Sequence, residues 1–346
     1  MAQNKPRCVL VTRFSALGDV MMALPVLYDT CRAHPDVHFV FASRKWAVSL
    51  AQCPPPNLTV EPVDLKGDYS GVGGMLRLAR ELRRKYDVDT MADLHSVLRT
   101  WVLGAALRLR GVTVRRIDKG RRDKRALIAG RSTQPLLHTT QRYRKVFAEL
   151  GLDSQPAFTS LFDHDLPPCS LAGEKPDGHR WIALAPFAAH EGKVYPLEQM
   201  LQVVRQLADD PQTHIFLLGG GDSEKEILAS WAKDHDNVTS VAAIDHTFAD
   251  ELALVARCDA MVSMDSANMH LASLVDVPVV SVWGATHPDC GFMGYRQSVD
   301  NAVQLPLDCR PCSVFGNKPC RLGDRRCLMG ITPEMIVDKV NQLTRH

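Results

Sequence analysis

The chain has 346 residues, enough for two domains that each bury a core. Its 41 Lys and Arg nearly balance 39 Asp and Glu, so no global field selects a polyanion as partner. No apolar run reaches the ~18 residues that span a bilayer. The polar stretch Met1 to Arg7 runs straight into an apolar strand and does not read as a signal peptide. The expected setting is the cytoplasm, with any membrane met from its surface.

Short β-branched runs alternate with helix-period segments. Arg7–Thr12 predicts a strand and Val20–Ala33 a helix, with Pro25 in its first turn or at a kink. Strands follow at Val37–Ala42 and Leu58–Val63, then a basic amphipathic helix at Leu76–Tyr86. Val88–Leu94 and Val112–Ile117 read as strands flanking a helix at Val97–Leu109. Asp163–Gly178, rich in Pro, Gly and charge, has a linker's composition.

The pattern then restarts with strand Trp181–Ala185, helix Leu197–Ala208 and strand His214–Leu218. Helices Ser223–Lys233 and Ala249–Ala256 follow. Strands Asp259–Met264 and Val277–Val282 flank helix Ser266–Leu274. This alternation predicts two doubly wound, Rossmann-like parallel sheets, divided near residue 170 into domains 1–170 and 171–346. The last helix, Pro333–Leu343, could pack on either half. Two such domains are expected to face one central cleft, with functional residues just after the strands.

Four segments occupy such positions. Ser15-Ala16-Leu17-Gly18-Asp19 sits at the first strand-to-helix turn, where small residues such as Ser15 and Gly18 let a ligand approach the backbone. Asp19 is either a helix-capping carboxylate or a general base. Pro186–Pro196 carries Lys193, a candidate partner for a leaving phosphate. Gly219-Gly220-Gly221-Asp222-Ser223-Glu224 suits a nucleotide, with Glu224 a candidate for ribose hydroxyls. It does not fit the dinucleotide fingerprint, because Glu stands where the last glycine belongs. Met264-Asp265-Ser266-Ala267-Asn268-Met269-His270 repeats the strand-end geometry. There Ser266 and the helix amides could hold a phosphate, and Asp265 could bind sugar hydroxyls. His270 lies one turn in; a capped core helix with a satisfied histidine is the alternative.

The set, in this order, resembles the heptosyltransferases of glycosyltransferase family 9, which build the inner core of lipopolysaccharide. The likeness covers nearly the whole chain. Its anchors are Phe14–Pro25, Lys193-Val194-Tyr195-Pro196, Ser263–Leu271 and Trp283-Gly284-Ala285-Thr286-His287-Pro288. Cys312–Pro333 looks like the corresponding stretch of heptosyltransferase II-type members. The resemblance implies a GT-B fold, an ADP-heptose donor held by the C-terminal domain, and inversion without a catalytic metal. It implies Asp19 as the base, Lys193 beside the donor phosphate, and Asp265, Ser266, Ala267 and His270 as the donor-binding stretch. Ser266 and Ala267 replace the usual Thr and Gly, and Ser keeps the hydroxyl. Another nucleotide sugar, or a non-catalytic glycolipid-binding protein, are the alternatives.

Arg108 to Lys145 is strongly basic, opposed only by Asp118 and Asp123. A nucleic-acid patch would want interleaved aromatics, which are nearly lacking, so no nucleic-acid partner is expected. A solvated basic face and a surface for an anionic acceptor (Kdo or heptose of the lipopolysaccharide core) at the inner membrane are the other readings. His138, Thr139 and Arg142 open a helix, and His138 and Arg142 are candidates to contact that acceptor. Cys309, Cys312, Cys320 and Cys327 form a run with one close pair and two wide spacings. A structural zinc, packing thiols and redox-labile pairs are its three readings.

Overall fold

The computed structural model describes residues 7–162 and 165–344. The expected N-terminal segment up to Pro6, and Asp163 and His164 of the expected linker, lie outside them. The chain forms two compact units.

The first unit takes the chain up to Lys119 and then Leu137–Leu161. It holds β1 (Cys8–Thr12), α1 (Leu17–Ala33), β2 (His38–Ser43), α2 (Ala47–Leu50), β3 (Leu58–Pro62) and α3 (Gly71–Tyr86). β4 (Thr90–Asp93), α4 (Leu98–Arg108) and β5 (Thr113–Arg116) follow. Beyond α5 (Arg121–Ile128), which belongs to the other unit, α6 (Thr139–Ala148) completes it. The five strands pair in parallel in the order β3-β2-β1-β4-β5. Every residue of β1 is buried, as a strand covered on both faces requires. Leu10, Val40, Met91 and Val114 pack on one side against Met75, Leu78 and Leu82 of α3 and Leu103 and Leu107 of α4.

The second unit takes Gly120–Leu136 and the chain from Phe162 onward. It contains β6 (Arg180–Ala185), α7 (Leu197–Ala208), β7 (Thr213–Leu217), α8 (Asp222–Ala232), β8 (Val238–Ser240), α9 (Phe248–Val255) and β9 (Ala260–Met264). α10 (Ala267–Leu274), β10 (Val279–Val282), β11 (Ala302–Val303), α11 (Arg326–Met329) and α12 (Pro333–Thr344) complete it. Its strands run in the order β11-β10-β9-β6-β7-β8, a doubly wound order with the switch between β6 and β9. α12 packs in this unit: Ile336 and Val340 join the core of β6 and α7, and Arg180 donates to the Asn341 side chain at 2.7 Å.

Three features depart from the sequence reading. α1 starts at Leu17, so Pro25 lies well inside it rather than in its first turn. Burial of this helix holds the proline there despite the amide it lacks. The units divide at Leu161/Phe162 rather than at residue 170. The described part of the expected linker is fastened to the second unit: Lys175 pairs with Asp259 at 2.5 Å, Ser170 donates to Asp250, and Arg257 donates to the Pro167 carbonyl. Finally, α5 joins the second unit because Lys124 lies over the rings of Phe292 and Phe315 and the Leu136 amide donates to the Asp289 carbonyl.

Candidate active site

In the first unit β1 ends at Thr12 and the chain turns through Arg13–Ala16 into α1. Ala16 is the N-cap and Asp19 the third helical residue. The Asp19 carboxylate accepts the Ala16 amide at 3.2 Å, so the capping reading of Asp19 is realised in this structure. The same oxygen, Oδ2, is ion-paired with Arg13. Arg13 is fixed in turn: Nη1 donates to the Leu94 carbonyl at 2.7 Å, and its guanidinium lies over the buried Tyr143 ring. The Tyr143 hydroxyl donates to the Asp19 carbonyl, tying α6 to the first turn of α1. The Asp19 side chain keeps 29% of its exposure and stays reachable.

Ser15 meets His95 at 3.3 Å between Oγ and Nε2. His95 follows β4, where the Asp93 carboxylate accepts the amides of His95 and Ser96 and shapes the turn. Burial first, and the charge of Arg13 second, push the His95 imidazole down to about 3. It is therefore neutral near pH 7 and can accept or donate one hydrogen bond. Phe14, Ser15, Arg44, Leu65, His95 and Arg99 are among the residues lining a cavity of about 360 Å³. Gly18, the second residue of α1, is half-buried.

The α6 candidates are differently placed. His138 caps α6, its Nδ1 accepting the Thr140 amide at 3.2 Å. Arg142 is buried and donates to the carbonyls of Leu137 and Asp118. The basic stretch is shared between the two units, and Arg144 is spent on Asp29 and Ser154.

In the second unit Lys193 closes a short 3-10 turn, Glu191–Lys193, after β6. Its ammonium lies 2.8 Å from Asp265 Oδ2, just after β9, and the two side chains are 14% and 5% exposed. Thr286 donates to the same oxygen at 2.8 Å. Asp265 here faces protein partners and positions Lys193. Ser266 is the N-cap of α10, its hydroxyl 3.2 Å from that of Ser263, and Ala267 is the first helical residue. His270 is buried one turn further on. Glu224 accepts the Gly220 amide at 2.8 Å and so folds the glycine turn ahead of α8.

Residues that no strand-end rule singled out hold this arrangement. Arg310 donates to the carbonyls of Gly284, Leu305 and Thr286, pinning the loop after β10. A Cβ on Gly316, whose φ is +71°, would sit 2.6 Å from Lys193 Cγ, so the lysine stem lies directly on that glycine. A cavity of about 650 Å³ opens beside this turn, lined by His190, Gly192, Ala285, Gly316 and Arg325 among others. Another, of about 800 Å³, lies at the opposite, N-terminal ends of β6 to β8, floored by Trp181 and Phe216. Ligands of open α/β sheets gather at the other end.

Cys309, Cys312, Cys320 and Cys327 are free thiols in this structure, and Cys312 donates to the Cys309 carbonyl. Among the described residues no three His, Cys, Asp or Glu side chains are grouped to hold a metal ion. Burial pushes the Cys312 and Cys327 thiols up, whereas backbone amides lower that of the half-buried Cys320.

Comparison with known proteins fits both halves. Lipopolysaccharide heptosyltransferase 1 of Pseudomonas aeruginosa is 26% identical over 88% of this chain and 85% of its own length. A glycosyltransferase family 9 structure from Veillonella parvula superposes with a TM-score of 0.71 at 18% identity, over 97% of both chains. Escherichia coli heptosyltransferase WaaC, solved with ADP-2-deoxy-2-fluoro heptose, superposes at 0.67 and 20% identity, over 97% of this chain and 99% of its own. WaaC is a heptosyltransferase, and the two parallel α/β sheets of this chain are the GT-B fold. The family model for glycosyltransferase family 9 (heptosyltransferase) matches residues 75–320, and the chain belongs to that family of glycosyltransferases.

Proposed function

We propose that this glycosyltransferase moves heptose from ADP-heptose to a Kdo or heptose hydroxyl of the lipopolysaccharide inner core, with inversion and without a catalytic metal. The acceptor precursor would be met at the cytoplasmic face of the inner membrane. The observation that carries the reading is the Lys193–Asp265 pair at the head of α10. An ammonium has three donors, and Asp265 takes one. The others, with the first amides of α10 and the Ser266 hydroxyl, can meet a diphosphate whose charge grows as the glycosidic bond breaks. Fixed positive groups there do the work a metal would otherwise do.

Asp19 takes the proton from the attacking hydroxyl. Arg13 and the Ala16 amide hold one carboxylate oxygen and aim the other. The neutral His95 and Ser15 orient the acceptor sugar, and Arg44 and Arg99 at the same cavity suit its acidic groups. Glu224 and His270 stand near the donor's nucleoside end in this reading. A screen of nucleotide sugars with deacylated core acceptors tests it, comparing wild type with Asp19→Ala. ADP-heptose should be turned over by wild type only, with Asp19→Ala slower by roughly 10²–10⁴. No transfer from any nucleotide heptose would overturn the reading.

A further inference from the structure

α4 carries two apolar faces. Leu103, Ala106 and Leu107 point inward and pack in the sheet core. On the outer face Leu98, Trp101 and Leu109 are 74%, 48% and 89% exposed, and Ala105 between them is exposed too. The spacing of 3, 4 and 4 residues makes these one stripe, about 16 Å long at 1.5 Å per residue. An apolar helix face of this length normally has a partner.

Its surroundings identify the kind of partner. From Leu94 to Ile117 there are five arginines and no acidic residue. Arg99 and Arg108 are exposed on α4 itself, and the Arg116 guanidinium lies over the Trp101 ring. α3, which packs in the same core, adds exposed Val72 and Leu76 beside exposed Arg77 and Arg80. A second copy of this chain would set arginines against arginines. An anionic lipid surface meets both demands: its acyl boundary takes Leu98, Trp101 and Leu109, and its headgroups take the arginines. The stripe also leads to the chemistry, because Leu98 and Arg99 line the cavity that holds Ser15 and His95.

We propose that the outer face of α4 docks this enzyme onto an anionic membrane, bringing the Ser15–His95 cavity to a lipid-borne acceptor. The choice of acceptor rests on the proposed function, but the docking is measured without it. The full chain is sedimented with vesicles of phosphatidylcholine alone or mixed equally with phosphatidylglycerol, at low and high salt. Wild type should bind the anionic vesicles only and release in salt. Trp101→Ser/Leu109→Ser should weaken that binding on the order of tenfold or more. Both positions are exposed, and an unchanged melting curve confirms the fold of the variant. Its turnover of a deacylated acceptor should equal wild type, while turnover of a vesicle-embedded acceptor falls. Equal binding of wild type and variant, equal binding to both vesicle types, or a wild-type dimer that the variant disperses would each overturn the proposal. Intact vesicle binding without any sugar transfer would instead count against the proposed function alone.

Discussion

Replacing Asp265 by Asn tests whether the second unit is built around the charge of Lys193. The substitution keeps the shape, and an amide oxygen can still accept from Thr286. What it removes is the counter-charge 2.8 Å from an ammonium whose side chain is only 14% exposed. Removing one partner of a buried pair typically costs about 3–5 kcal/mol, because the other charge is left without compensation. Lys193 retains some access to water, so we expect about 2–3 kcal/mol here. Lys193→Met together with Asp265→Asn leaves two neutral groups of similar volume. That double variant should recover most of the loss, to within about 1 kcal/mol of wild type.

A chain of two compact units has no single unfolding free energy. The suitable measurement is hydrogen exchange of the buried amides in β9 and β10, which flank Asp265 and report opening of this unit. The single Asp265→Asn variant should be less stable than the double. If the double variant loses the sum of the two single losses, the side chains are not coupled and the reasoning fails. Donor turnover should collapse in both, since Lys193 is misplaced in one and missing in the other.

Gly316→Ala forces a non-glycine residue to φ +71° and drives its Cβ into the Lys193 stem, whereas Gly323→Ala meets φ +77° with nothing nearby. Both should lower the opening free energy of the second unit, read by hydrogen exchange, by about 1–2 kcal/mol, but only Gly316→Ala should raise the donor KM; equal kinetics would refute the contact's role. His95 is neutral when folded and titrates near its ordinary value when unfolded, so its contribution is present above about 6.5 and is lost as pH falls towards about 3. At pH 5 that amounts to about 1–2 kcal/mol after allowance for partial exposure. His95→Gln should flatten the stability difference between pH 7 and pH 5, and an unchanged slope would contradict it. Asp19→Asn preserves an acceptor for the Ala16 amide but removes the counter-charge of the buried Arg13, so stability should fall, though a neutral amide keeps the shape, while kcat drops by roughly 10²–10⁴; near-normal turnover would remove Asp19 as the base.

Periodicity carried the reading of the two sheets because parallel strands buried on both faces are continuous apolar runs, as in Trp181 to Ala185 of β6. The strand-end rule then reached Asp19, Lys193, Asp265 and Ser266 without coordinates. It reached His95 too in principle, since His95 lies just beyond β4 as Asp19 lies beyond β1, but no motif drew attention to it. β8 and β11 are too short to show a period. Arg310 was hidden for another reason: apart from the Gln304 side chain its partners are backbone carbonyls, which any sequence supplies. The placement of α5 rests on Lys124 meeting Phe292 and Phe315, a contact between distant parts of the chain. Arg142 looked like an acceptor-binding cation in a basic run, yet its neighbours Leu137 and Asp118 take its guanidinium as a brace.

The two readings of Asp19, cap or catalyst, turn out not to compete. A carboxylate has two oxygens. Among the described residues the Ala16 amide and Arg13 both fall on Oδ2. The cap and the ion pair therefore fix the orientation of the group and leave Oδ1 to the proton transfer proposed above. Arg13 is itself held by the Leu94 carbonyl beyond β4 and by Tyr143 of α6, so three elements of one unit converge on a single oxygen. The second unit repeats the device with opposite charge. Asp265 Oδ2 receives both Lys193 and Thr286, and the lysine's remaining donors stay available to an anion. In each case the helix head supplies the fixed partner, and the proposed function assigns the chemistry to the atom left over, which is how a group can be rigid and chemically available at once.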